Sequence, residues 1–113
     1  MTINAALLTI GADAMEAAVT HLQLHNGAPG AGYTTNVVGT RVAVTGKVTG
    51  NQALTFAGAW TGLTANQAVT HVSYWSASTA GTNYGGSAIG TGDTAANAAG
   101  EYNVTVTETG SAT

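Results

Sequence analysis

Hydrophobic residues recur at two different spacings along this chain, and the change of spacing falls near residue 18. Over residues 3–18, Leu7, Leu8, Gly11, Met15 and Ala18 lie three and four positions apart, the stripe of an amphipathic helix. Asn4 stands where a side-chain oxygen can cap the first turn, and Asp13 and Glu16 fall off the stripe, towards solvent. Gly11 weakens an isolated helix by about 1 kcal/mol relative to alanine. The helix is therefore expected to depend on packing, with Gly11 allowing close approach to a sheet.

From Val19 the period shortens to two. Val19-Thr20-His21-Leu22-Gln23-Leu24-His25 alternates, which sets Leu22 and Leu24 on an inner face and His21, Gln23 and His25 on the other. A loop from Asn26 to Gly32 follows and holds the only proline, Pro29. Further strands are expected at Arg41 to Thr45, Gln52 to Phe56, Ala68 to Trp75, Tyr84 to Ile89 and Tyr102 to Thr107. Glycine or asparagine punctuates the gaps, at Gly39, Gly46, Gly50-Asn51, Gly58, Gly62, Gly81 and Gly90. The expected fold is mainly β: an N-terminal α-helix packed on an antiparallel β-sandwich or a jelly-roll-like barrel. Residues 1–113 read as one domain, with a helix over 3–18, a β region over 19–109 and a short tail over 110–113.

One segment echoes another. Ala18-Val19-Thr20-His21-Leu22-Gln23-Leu24 returns as Ala68-Val69-Thr70-His71-Val72-Ser73-Tyr74. Two instances do not make a repeat protein, and the echo reads as two core strands built the same way. Aromatic residues are few. Tyr74 and Trp75 are adjacent in a strand and so face opposite sides; Trp60, Tyr74 and Trp75 are the candidate interface residues, because Trp and Tyr are enriched at the centres of interfaces.

Composition then removes most chemistry. Only 6% of the chain is charged, Arg41 and Lys47 against five acidic residues, whereas 44% is hydrophobic; an ordinary soluble domain carries about 25% charge. With two basic residues, nucleic acid is not an expected partner. No run approaches the roughly 18 apolar residues of a membrane span, and the start of the chain lacks the basic region of a secretion signal. There is no cysteine, so neither a disulfide framework nor a thiolate metal site can form.

No catalytic, cofactor or metal site is expected either. In an extended segment His21 and His25 lie roughly 13 Å apart at ~3.3 Å per residue, too far to share one ion, and they read as hydrogen-bonded structural histidines. The five carboxylates are scattered over a helix, a loop and the last strand, where no acid–base pair is assembled. Gly85-Gly86-Ser87 lacks the glycine spacing of a nucleophile elbow. Thr105, Thr107 and Thr109 alternate on the last strand in the manner of an ice-binding array, but no second Thr-x-Thr series accompanies them. The chain reads as no enzyme, with a neutral surface suited to cover by other protein.

The order of these segments resembles small structural proteins of tailed bacteriophages, especially those of actinobacterial hosts. The resemblance runs through the helix, then Thr20-His21-Leu22-Gln23-Leu24-His25-Asn26-Gly27-Ala28-Pro29-Gly30, then Thr40-Arg41-Val42-Ala43-Val44 and Asn51-Gln52-Ala53-Leu54-Thr55-Phe56. It continues through Val69-Thr70-His71-Val72-Ser73-Tyr74-Trp75-Ser76-Ala77, Gly81 and the Gly85-Gly86 pair, covering roughly residues 4–107. It implies a virion component, present in the host cytoplasm during assembly. A short chain without a coiled-coil or collagen-like segment fits a capsid decoration protein that binds the major capsid protein and itself, as a homo-oligomer such as a trimer. The alternatives are a minor tail or tail fibre component that binds the host surface, and a carbohydrate-binding domain with Trp60 or Trp75 as its stacking platform.

Overall fold

A computed structural model describes residues 17–50, 53–89 and 94–109. These form seven strands: β1 (His21–His25), β2 (Val37–Ala43), β3 (Gly46–Gly50), β4 (Ala53–Trp60), β5 (His71–Trp75), β6 (Asn83–Ala88) and β7 (Tyr102–Thr109). The fold is mainly β, with antiparallel sheets. Ala17 and Ala18 are helical; the rest of the helix expected over 3–18, and the tail over 110–113, lie outside the described residues.

The strands divide between a four-stranded sheet of order β2-β1-β5-β6 and a three-stranded sheet of order β3-β4-β7. The chain changes sheet between β2 and β3 through Val44 and Thr45 alone. Thr45 makes the corner by donating its backbone N–H to the Ala57 carbonyl at 2.8 Å, with its hydroxyl 3.2 Å from the same oxygen. Period-two alternation then sorts the side chains. Leu22, Leu24, Val38, Val72 and Tyr74 of the first sheet meet Phe56, Trp60, Tyr102 and Val106 of the second in one buried cluster, which Val19, Val69 and Ala96 join. The Phe56 and Tyr74 rings pack 5.6 Å apart across the sheets. Trp60 packs at a tilt against Tyr102, ring centroids 6.3 Å apart, and donates its indole N–H to the Thr40 carbonyl at 3.0 Å, tying the second sheet to β2.

Several strand boundaries differ from the sequence reading: β2 starts at Val37 instead of Arg41 and runs through Gly39, and β3 was not expected as a strand. Gly46 and Gly50, read as turn markers, are the first and last residues of β3. Gly58, also read as punctuation, lies inside β4, which therefore runs on to Trp60. A Cβ at Gly58 would stand 3.0 Å from the Trp60 ring and 3.1 Å from a Leu22 methyl. Its glycine is a packing requirement, because the Trp60 indole and the Leu22 side chain occupy the space above it. Ala68 contributes only an isolated bridge to Ala95, so β5 starts three residues later than expected.

The echo between residues 18–24 and 68–74 proves to be a local two-fold axis. Gln23 and Ser73 occupy the same place in the echo and are also cross-strand partners. Hydrogen bonds match on either side: Thr20 N–H to Trp75 C=O at 2.9 Å with Thr70 N–H to His25 C=O at 2.8 Å, and Val44 N–H to Thr20 C=O at 3.0 Å with Ile89 N–H to Thr70 C=O at 2.7 Å. The same relation holds in the other sheet. Gln23 and Ser73 are 73 − 23 = 50 positions apart, and the partners Phe56 and Val106 are 106 − 56 = 50 apart. There Leu54-Thr55-Phe56 answers Val104-Thr105-Val106. Each half supplies a strand, its hairpin partner and a strand of the opposite sheet; β3 has no counterpart among the described residues.

Two stability outcomes follow for urea unfolding. Gly58→Val should destabilise the fold by about 1–3 kcal/mol through overpacking. Phe56→Ala should cost about 3–5 kcal/mol as a core cavity. A Gly58→Val protein with an unchanged urea midpoint would show that the Trp60 ring yields freely.

Candidate functional site

Side chains of β1 and β5 that point away from the core form a polar face: His21, Gln23 and His25 beside Trp75, Ser73 and His71. In an ordinary antiparallel sheet this face would be wet. Here Gln23, His25, Ser73 and Trp75 are all buried. Buried polar groups must find partners, and no buried side-chain nitrogen or oxygen among the described residues lacks one.

The Gln23 partners arise from an irregularity in a flanking strand. β2 slips register opposite Gln23, between the pairs made by Leu22 and Leu24. Gly39, at φ +66°, permits that bulge. The bulge turns carbonyls away from the ladder, and the Gln23 amide collects them: Nε2 lies 2.9 Å from Val38 O, 3.3 Å from Gly39 O and 3.2 Å from Leu24 O. β6 slips in the same way beside β5, between the pairs made by Ser73 and Trp75. There Asn83 Nδ2 reaches Tyr74 O at 3.3 Å while its Oδ1 accepts from the Gly85 N–H at 3.0 Å.

A three-residue chain runs beneath. His25 Nδ1 lies 2.9 Å from the Thr35 carbonyl, and its Nε2 lies 2.8 Å from Ser73 Oγ, which also receives the Trp75 indole N–H at 2.8 Å. A carbonyl can only accept, so Nδ1 carries the proton; Nε2 then accepts from the Ser73 hydroxyl. Burial pushes the imidazole's pKa below the usual histidine value, which favours this neutral form. The Thr35 hydrogen bond opposes that shift and the neighbouring His71 adds to it. The pair has the connectivity of a base and a nucleophile. However, both side chains are wholly enclosed, so no substrate reaches Ser73, and the arrangement pins the loop between β1 and β2 to the sheet.

Arg41 closes the face at the other end. Its guanidinium carbon sits 3.6 Å above the centroid of the Trp75 ring, while Nη1 donates to Ala77 O at 3.0 Å and Ala80 O at 2.7 Å. One of only two basic residues is thus spent on covering a tryptophan and fastening the turn between β5 and β6. Burial lowers its pKa.

The three aromatic residues expected at an interface are all interior. Trp60 is 2% exposed, Tyr74 5% and Trp75 6%. Tyr74 and Trp75 do face opposite sides, as adjacent strand residues must, but each side is covered: Tyr74 by Phe56 of the second sheet, Trp75 by Arg41. The histidines are held by protein as well. Thr20 Oγ1 lies 2.9 Å from His21 Nδ1, and Thr70 Oγ1 lies 2.8 Å from His71 Nδ1. No group of three metal-ligating side chains occurs among the described residues.

The surface left open is of another kind. On the outer face of the three-stranded sheet, Thr55, Ala57 and Ala59 of β4 lie directly opposite Thr107, Thr105 and Asn103 of β7. Thr55 and Thr107 join hydroxyls at 3.1 Å, and Ala59, Asn103, Thr105 and Thr107 are exposed. These six positions carry no charge. Thr105 and Thr107 had been legible as an alternating pair; the β4 half of the face was hidden by ending that strand at Phe56.

Two substitutions probe the polar face. Histidine with a lowered folded pKa stabilises the fold fully above the unfolded value near ~6.5, and loses that contribution as pH falls below it, because the unfolded chain then binds more protons. The urea midpoint should therefore fall on acidification below about pH 6.5, and His25→Phe should flatten that dependence while lowering stability at pH 8. An equally steep profile in His25→Phe would assign the effect elsewhere. Arg41→Lys should cost roughly 1 kcal/mol, since lysine lacks the planar stack.

No family model, curated protein or solved structure matches the chain.

Proposed function

We propose that this protein is a bacteriophage virion component, a capsid decoration protein that docks on the outside of the major capsid shell and stabilises it without chemistry. The observation that carries this reading is the exposed, uncharged Thr/Ala/Asn face of β4 and β7. Such a face gives up no ionic solvation when covered, and its hydroxyls can trade water for partner hydrogen bonds. The phage-like order of segments supports the same reading. In its finer form the fold is an antiparallel sandwich with the N-terminal helix packed upon it.

The division of labour inside the chain agrees with a structural role. His25 and the one fully described basic side chain, Arg41, are engaged in holding a loop and a turn. Stable docking needs about 1,000 Å² or more of contact, and repetition over a shell multiplies a modest gain per site.

Capsids assembled without the protein should lose resistance to heat, and adding it back should restore that resistance. Ala59→Lys, which places a charge on the open face, should lower occupancy on capsids by about tenfold or more while leaving the fold intact. Unchanged capsid stability, with the protein found at the tail tip, would replace this reading by that of a host-binding tail component.

A further inference from the structure

The four sheet edges are guarded very unequally. A strand edge offers a row of backbone donors and acceptors, and proteins blunt it with bulges, prolines, lysines or brevity. β2 and β6, the edges of the four-stranded sheet, are each broken by a register shift. β3 is five residues long, bounded by glycines, and contains Lys47. β7 has none of these devices. It pairs with β4 over eight consecutive residues without a bulge, and it contains no proline, lysine or arginine.

We infer that the outer edge of β7 pairs with β7 of a second copy of this chain, antiparallel about Thr105, joining two three-stranded sheets into one of six. Strand geometry restricts the register. Directly opposed residues share a face, so a two-fold pairing that keeps inner faces together must be centred on a residue, either Thr105 or Val106. Centred on Thr105, the inner face opposes Val104 with Val106 and the outer face opposes Asn103 with Thr107. Centred on Val106, it sets Val104 against the carboxylate position Glu108. The first register pairs apolar with apolar.

Two further features favour a like strand as the occupant. Val104 is only half-buried yet packs against the core cluster, so a second Val106 beside it extends the core. The chain also already pairs strands related by a local two-fold in both its sheets, with Gln23 against Ser73 and Phe56 against Val106. An isologous pair closes on itself, whereas β7 against β3 of the next copy would grow without limit. The inference does not rest on the virion reading and concerns the isolated protein.

Sedimentation of the full chain is expected to show a reversible monomer–dimer equilibrium. Thr105 is exposed, and in this register it faces its own copy. Thr105→Lys and Thr105→Glu should therefore each weaken dimerisation by about tenfold or more, and mixing the two should restore a heterodimer. Should either variant fail to fold by circular dichroism, Asn103→Lys with Thr107→Glu should dimerise more tightly than wild type, and Asn103→Lys with Thr107→Lys less tightly. A wild-type chain that stays monomeric at millimolar concentration, an open-ended polymer, or a Lys/Glu mixture that does not associate would each overturn the inference. A monomer would leave the capsid reading standing, and capsids indifferent to the protein would leave the dimer standing.

Discussion

The pairing of β1 with β5 at the Gln23–Ser73 step organises the rest of this molecule. Its two faces make opposite demands. On one, Leu22, Leu24, Val72 and Tyr74 need an apolar cover, and the second sheet supplies it. On the other, Gln23, His25 and Ser73 need hydrogen-bond partners away from water, since a buried polar group left unpaired costs about 1–3 kcal/mol. The flanking strands meet that second demand by breaking their own regularity. The slip in β2 gives Gln23 its carbonyls, and the loop that follows β1 brings the Thr35 carbonyl to His25. The bulge in β2 thus answers the placing of Gln23 on a buried strand pair.

The same constraint explains where the scarce charge goes. With Arg41 stacked on Trp75 and bonded to two turn carbonyls, the cation serves internal cover. The outer face of β4 and β7 carries hydroxyls, an amide and methyl groups, and is flat in charge as well as in side-chain size. Low charge, in this chain, is a property of its open face and of its packing together.

Much of this was legible from alternation. The inward set Leu22 and Leu24, the outward set His21, Gln23 and His25, and the opposite facing of Tyr74 and Trp75 all follow from period two, and all hold. What alternation cannot show is whether an outward face is covered. Trp75 was therefore a fair candidate for a contact surface and is instead roofed by Arg41, a residue distant in sequence. Glycine misled in a second way. Gly58 looked like a turn because glycine usually is one, yet it marks a close approach of Leu22 and Trp60. The echo was visible, but its meaning lay in the fact that the echoing strands are each other's neighbours.

That neighbourhood has a consequence in time. In both sheets the two-fold partners stand 50 residues apart, at Gln23 with Ser73 and Phe56 with Val106. A chain emerging from the ribosome can close the β1–β2 and β3–β4 hairpins early, but Leu22, Leu24 and Phe56 then still lack the Val72, Tyr74, Tyr102 and Val106 that complete their cluster. Native contacts of this separation form late, because the entropy of closing the loop precedes the contacts that reward it. The two-fold that makes the finished protein orderly thus ties its assembly to the second half: the first half holds two strands of each sheet and no complete core.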